Sequence, residues 1–210
     1  MQNSAKWNFV EKHAIVAQTI IMKMGKQEKE EENMVYFTSD LHLGHAAVIG
    51  LSHRPFSDVE EMNETLIKNW NKTVMPDDDV YILGDLIFRA EQPPEYFLKR
   101  LRGKKHLIFG NHDEFWIDKV NLADYFVDWG NYAVVNTGNG KATVCHFPML
   151  HGDGKYLIHG HLHNRTTEWY WEFYKTFDRA LNAGVDINDF RPVTIAQLIE
   201  NNKRFKEGQE

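Results

Sequence analysis

The sequence predicts an α/β fold. From Met34 onward, short apolar runs alternate with amphipathic helical stretches, and that alternation specifies sheets layered with helices. Five of the apolar runs also end in His, Asp or Asn. In open α/β sheets, ligands bind beyond the carboxyl ends of the strands. The five polar ends are therefore expected to converge on one site.

Taken in order, Val35-Tyr36-Phe37-Thr38 reads as a strand ending at Ser39-Asp40. Val59, Met62, Leu66 and Trp70 share one helical face, with Ser57 and Glu60 in capping-box spacing ahead of it. Val80 to Leu83 reads as a strand ending at Gly84-Asp85. Pro94 suits the first turn of a short helix through Leu101, and Gly103 suits its stop. His106 to Phe109 is a strand ending at Gly110-Asn111-His112. Ala142 to Cys145 ends at His146, and Tyr156 to Ile158 ends at His159-Gly160-His161. Thr194 and Gln197 fit the start of a last helix through Ile199.

Residues 1–33 follow a different pattern. Trp7, Val10, Ala14, Ala17, Ile20, Ile21 and Met24 recur at helical spacing, and a charged stretch follows from Lys26 to Asn33. This segment reads as an extension, an amphipathic helix and a charged linker, ahead of a catalytic domain over 34–210. The apolar face hints at a homodimer contact.

Composition excludes several classes. The chain has 210 residues and a single cysteine, Cys145, so neither an internal disulfide nor a thiolate zinc cluster stabilises it. Twenty-four Lys and Arg against 30 Asp and Glu give a net charge of −6, which disfavours non-specific binding to nucleic acid or anionic membrane. No apolar run approaches the ~18 residues of a membrane span, and no signal peptide is read, so a cytoplasmic location is expected. The basic cluster Lys99 to Lys105 reads as a helix end supplied with cations. The aromatic block Trp169 to Tyr174 reads as packing, and Cys145 as a small buried hydrophobe.

Asp40, His42, Asp85, Asn111, His146, His161 and His163 supply oxygen and imidazole nitrogen without sulfur. That donor set suits manganese, iron, zinc, nickel or cobalt. Asp40 and His42 are two residues apart, as are His161 and His163, so an extended backbone would aim each pair to one side. Seven donors exceed the needs of one tetrahedral ion. They suit two ions sharing a carboxylate, the usual clamp for in-line displacement at phosphorus.

Asp40-Leu-His42, Gly84-Asp85, Gly110-Asn111-His112-Asp113, His146 and Gly160-His161-Leu-His163 resemble the calcineurin-like metallophosphoesterase superfamily. Each block alone occurs by chance in many chains; five in order, each closing an apolar run, are specific. Thr38 to His45, Arg54-Pro-Phe56, Leu181 to Asp186 and Arg191 to Val193 extend the likeness toward small bacterial and phage phosphoesterases of unassigned substrate. The resemblance implies a four-layer α/β/β/α sandwich and two divalent ions, with manganese favoured. It places Asp40, His42 and His163 on one ion, Asn111, His146 and His161 on the other, and Asp85 between them. It makes His112 the proton donor to the leaving oxygen, oriented by Asp113. Arg54, His45 and Arg89 become candidates for binding substrate, while His159 reads as a support for a ligand and His151 as a loop residue. Phe88 stands where some relatives carry a second acid.

The implied activity is hydrolysis of a small phosphodiester or phosphomonoester, with a nucleotide-type substrate favoured. A nuclease is the alternative, and it requires a basic groove beside the metals. A non-catalytic scaffold is the remaining reading, and the intact ligand set counts against it.

Overall fold

The computed structural model describes residues 33–208. The amphipathic stretch expected over the first 24 residues lies outside them.

Strand β1 (Val35–Thr38) starts the first sheet. Helices α1 (Ala46–Leu51) and α2 (Val59–Thr73) follow, then β2 (Asp79–Leu83), α3 (Pro94–Leu98) and β3 (Lys104–Ile108). Three single 3₁₀ turns lead to β4 (Asp128–Gly130). The chain then enters a second sheet through β5 (Tyr132–Asn136), β6 (Lys141–Cys145) and β7 (Tyr156–His159). Helix α4 (Trp171–Tyr174) and β8 (Ala180–Asn182) complete that half. Strand β9 (Val193–Thr194) returns to the first sheet, and α5 (Ile195–Lys206) closes the fold.

The first sheet has the order β4-β3-β2-β1-β9, all parallel except β9. The second has the order β5-β6-β7-β8, parallel except for the β5–β6 pair. In parallel sheets all strands end on one side. That rule places Asp40, Asp85 and Asn111 together, because β1, β2 and β3 are adjacent and in register.

Side-chain alternation along each strand builds two cores. Val80 and Ile82 of β2 face α2 and α3, meeting Met62, Leu66, Trp70 and Phe97. Phe37, Leu83 and Ile108 point the other way, against Val135, Val144, Ile158 and Leu181 of the second sheet. Ile195 and Leu198 of α5 join this inter-sheet core, and the helix packs against both edge strands, β8 and β9. The fold is thus two mixed sheets with helices, of the α/β class. The outer face of the second sheet is also covered. Its cover is the short α4 with Leu162 and Tyr174 over Ala180, and the loop at Gly152 over Thr143 and Leu157.

The helix signals hold with shifts of register. Asp58, not Ser57, caps α2 by accepting from the Glu61 backbone, and Ser57 instead donates to the Glu61 carboxylate. Thr194 and Gln197 form the expected capping box, but α5 runs on to Lys206 because Leu198, Asn201 and Asn202 keep burying one face. Helix α3 stops at Leu98, three residues short of the expected end. In the aromatic block Tyr174 is buried, whereas Trp169 is 92% exposed with its ring edge-on to Tyr170 at 5.8 Å.

Phe37 is fully buried between the sheets. Phe37→Ala should cost about 3–5 kcal/mol, read as a lower urea midpoint with an unchanged slope.

Candidate metal centre

The turns after β1, β2 and β7 have unusual backbones. Asp40, His42, Asp85, His161 and His163 all have φ between 50° and 69°. A non-glycine residue in this left-handed region costs roughly 1–3 kcal/mol and persists only where its surroundings over-determine it. The paired residues therefore converge through tight left-handed turns, not through the extended backbone that their spacing predicted. Two glycines make room for these turns. A Cβ on Gly110 would collide with the Asp85 carboxylate, and one on Gly160 with Ser39 Oγ and Asp40 Oδ2.

The structure brings the seven predicted ligands together. His163 Nε2 lies 3.8 Å from Asp40 Oδ1, and the rings of His42 and His163 stack at 5.1 Å. Asp85 Oδ2 lies 3.6 Å from His42 Nε2 and 3.6 Å from His146 Nε2, between the two halves. Asn111 Oδ1 is 3.0 Å from His146 Nε2, and the His161 ring is 5.2 Å from the His146 ring. Asp40, His42 and His163 form one compact donor group, and Asp40, Asp85 and His146 form a second. Asp40 belongs to both groups, so it shares the central position with Asp85. The Asp40, His42 and His163 side is buried, whereas Asn111 and His161 face solvent.

The donor set fits divalent cations. His42 is 2% exposed, yet among the described residues neither of its ring nitrogens has a hydrogen-bond partner. Burial, then His163, holds it well below the usual imidazole range, so its lone pair stays free. His146 Nδ1 donates to the Leu83 carbonyl at 2.8 Å, which leaves an Nε2 lone pair facing Asp85. Burial, opposed by His146 and reinforced by Asp40, pushes Asp85 up to about 7. These are the marks of an acceptor cluster short of positive charge.

Several contacts hold the donors from behind. Asp186 Oδ2 accepts from His163 Nδ1 at 2.8 Å, which turns Nε2 toward Asp40. Burial pushes Asp186 up, but His163 and Arg54 together hold it below the usual carboxylate range. Asp40 accepts from the His161 backbone at 2.9 Å, and Asp85 accepts from that of His112 at 2.8 Å. Asn182 donates to the His163 carbonyl at 2.7 Å.

Arg54 is buried and already paired, not open to a phosphate as expected. It is 4% exposed, and its guanidinium is spent on Asp186, the Asp40 carbonyl and the Leu41 carbonyl. It positions the first ligand loop. Asp113 likewise does not orient the His112 ring. Its carboxylate accepts from the backbones of Asp85, Leu86 and Gly110 and from Trp116 Nε1, at 2.7–3.0 Å. It clasps the β2 turn to the β3 turn.

His112 itself stands at the rim, with Nε2 4.0 Å from Asp85 Oδ2. His45 caps the start of α1, and its ring packs 4.7 Å from Phe88 and 5.4 Å from His42. Arg89 is exposed, its guanidinium 5.0 Å from the Phe88 ring. His159 is buried behind the site, donating to the Gly160 carbonyl and accepting from the Tyr174 hydroxyl. His151 is an exposed loop residue. Sequence reasoning left open the role of Asp186, which only its late Asp-containing segment hinted at. It also gave no role to Phe115 or Phe147, whose rings flank His112 and His161.

The calcineurin-like phosphoesterase family model matches residues 34–202. The chain belongs to that family. It is 37% identical to the uncharacterized protein MJ1445 of Methanocaldococcus jannaschii over 175 residues, covering 80% of this chain and 93% of that one. It is 32% identical to the Gene 66 protein of Mycobacterium phage L5 over 162 residues, covering 61% of this chain and 77% of that one. Among solved structures it resembles the Aquifex aeolicus protein of unknown function AQ665, with a TM-score of 0.63 at 26% identity, covering 80% of this chain and 99% of that one. Among the described residues no helix is long and apolar enough to cross a membrane.

Asp186→Ala should leave the buried Arg54 unpaired and free the His163 ring. The expected cost is about 3–5 kcal/mol in metal-free stability and roughly 10–100-fold in metal affinity. Urea unfolding and calorimetric titration with manganese check the two effects separately.

Proposed function

We propose that this chain is a metal-dependent phosphoesterase that hydrolyses a phosphodiester or phosphomonoester, with a nucleotide-type substrate favoured. The observation that carries the reading is the buried His42, whose two nitrogens lack partners among the described residues, facing the carboxylates of Asp40 and Asp85 in strained turns. Such a cluster is costly without cations.

Asp40, His42 and His163 would hold one divalent ion, and Asn111, His146 and His161 a second, with Asp85 shared. Manganese is favoured. Two ions in such a site would supply an activated water and neutralise charge on the phosphoryl oxygens. The chain's own groups do the rest. Asp186 and the Leu83 carbonyl fix the tautomers of His163 and His146. Asn111 and His161 leave one side open, where a phosphoester can approach.

His112 donates the proton to the departing oxygen. Its ring is wedged 4.1 Å from Phe88, which fixes its direction. Burial, then His146, holds it below the usual imidazole range. Asp113 acts indirectly by setting the turn from which His112 projects.

The test is hydrolysis of bis-(p-nitrophenyl) phosphate and of its monoester with added manganese. Asp85→Asn should abolish turnover of both. His112→Ala should keep its metal, measured by elemental analysis, and lose roughly 10²–10⁴-fold on an ester with an alkyl leaving group. The loss should be smaller for p-nitrophenolate, which departs without a proton. Absence of turnover of either ester, with manganese shown to be bound, would sink the reading.

A further inference from the structure

Beside the proton donor lies a surface that the metal chemistry does not use. Phe88 is the hub of a cluster of rings: His112 at 4.1 Å, His45 at 4.7 Å and Phe115 at 5.2 Å between centroids. Phe88 is 5% exposed, but Phe115 is 52% exposed, in a single 3₁₀ turn directly after the His112 segment. The Phe115 ring lies nearly parallel to that of His112, at 29° and 6.5 Å. It therefore continues the wall of the site outward from the proton donor.

Phe115 does not simply face bulk solvent. With Arg89, Gln92 and Lys119 it lines a cavity of about 190 Å³. This cavity joins a flat apolar ring, two cationic side chains and one amide. Arg89 is held by the Phe88 ring and by its own left-handed backbone, and among the described residues no carboxylate pairs with it. The negative overall charge makes two cations lining one cavity more notable.

The chemistry of that lining is specific. An exposed aromatic face stacks on any base. An amide can both donate to and accept from a base edge. Arginine and lysine meet phosphate oxygens. A bare phosphate, or a phosphate on a small alkyl or sugar group, would use none of the ring.

We infer that the Phe115–Arg89–Lys119 cavity is a subsite for the nucleoside on the leaving-group side of the substrate, its base stacked on Phe115. The placement follows from His112, since the group that takes its proton must depart along this wall. The inference rests on the phosphoesterase reading above and names the organic part of its substrate.

The experiment measures binding to the manganese-loaded full chain by calorimetry, with AMP, ribose 5-phosphate and methyl phosphate as probes. AMP should bind about tenfold more tightly than methyl phosphate, the scale of one base–aromatic stack, and ribose 5-phosphate should behave like methyl phosphate. Phe115→Leu should remove most of the AMP preference, and Phe115→Trp should keep it. Half exposure of Phe115 makes both variants compatible with folding. Equal affinities in the parent chain, or a preference that survives Phe115→Leu, would overturn the inference. Hydrolysis of bis-(p-nitrophenyl) phosphate by the same preparation is read alongside. Loss of that activity with manganese bound counts against the phosphoesterase reading, whereas equal probe affinities in an active preparation count against the subsite alone.

Discussion

Asp40 and Asp85 bring two carboxylates into one buried space, and both are at most 2% exposed. Like charges removed from water repel each other and lose hydration. Backbone donors from His161 and His112 offset part of that cost. The rest is left for cations, and the surrounding structure is arranged around that need. Imidazoles line the carboxylates instead of lysine or arginine amines. His42, only 2% exposed, keeps both nitrogens unpartnered among the described residues.

The ligand turns cannot be set by one sheet alone. Asp40 and Asp85 project from the first sheet, and His146, His161 and His163 from the loops of the second. Individual hydrogen bonds cross between them. His146 of the β6 end donates to Leu83 of β2, and the His161 backbone donates to Asp40 after β1. Asp113 ties the β2 and β3 turns within the first sheet, and Arg54 joins the Asp40 loop to Asp186. Metal-site geometry and inter-sheet packing are thus one structural problem. Phe37, Leu83 and Ile108 hold the sheets at the separation these bonds require.

The site is asymmetric. The Asp40–His42–His163 side is sealed, while Asn111, His161 and the rim around His112 face outward. Rings stand on both flanks of that opening: Phe115 beside His112, and Phe147 4.7 Å from His161. The acidic donors thereby lie behind an opening flanked on both sides by aromatic rings.

The sequence by itself determined the strands, the principal helix and the ligand types. Val35 to Thr38, Val80 to Leu83 and His106 to Phe109 are apolar runs with polar ends, and both properties are local. So are the apolar spacing of α2 and the Thr194–Gln197 cap. The strands β4, β5, β8 and β9 escaped that pattern, since β4 and β5 are largely exposed and β8 and β9 have only three and two residues. Only the tertiary structure decided what the supporting charges do. Arg54 looked free for phosphate until Asp186, 132 residues away, took it. Asp113 looked like a partner for the adjacent His112 until backbone donors from a neighbouring strand end claimed its oxygens. The left-handed turns at Asp40 and Asp85 were equally hidden. A single sequence states which groups are present and what their neighbours in the chain prefer. It does not state which distant donor competes for a given acceptor, and in a buried site that competition assigns the roles.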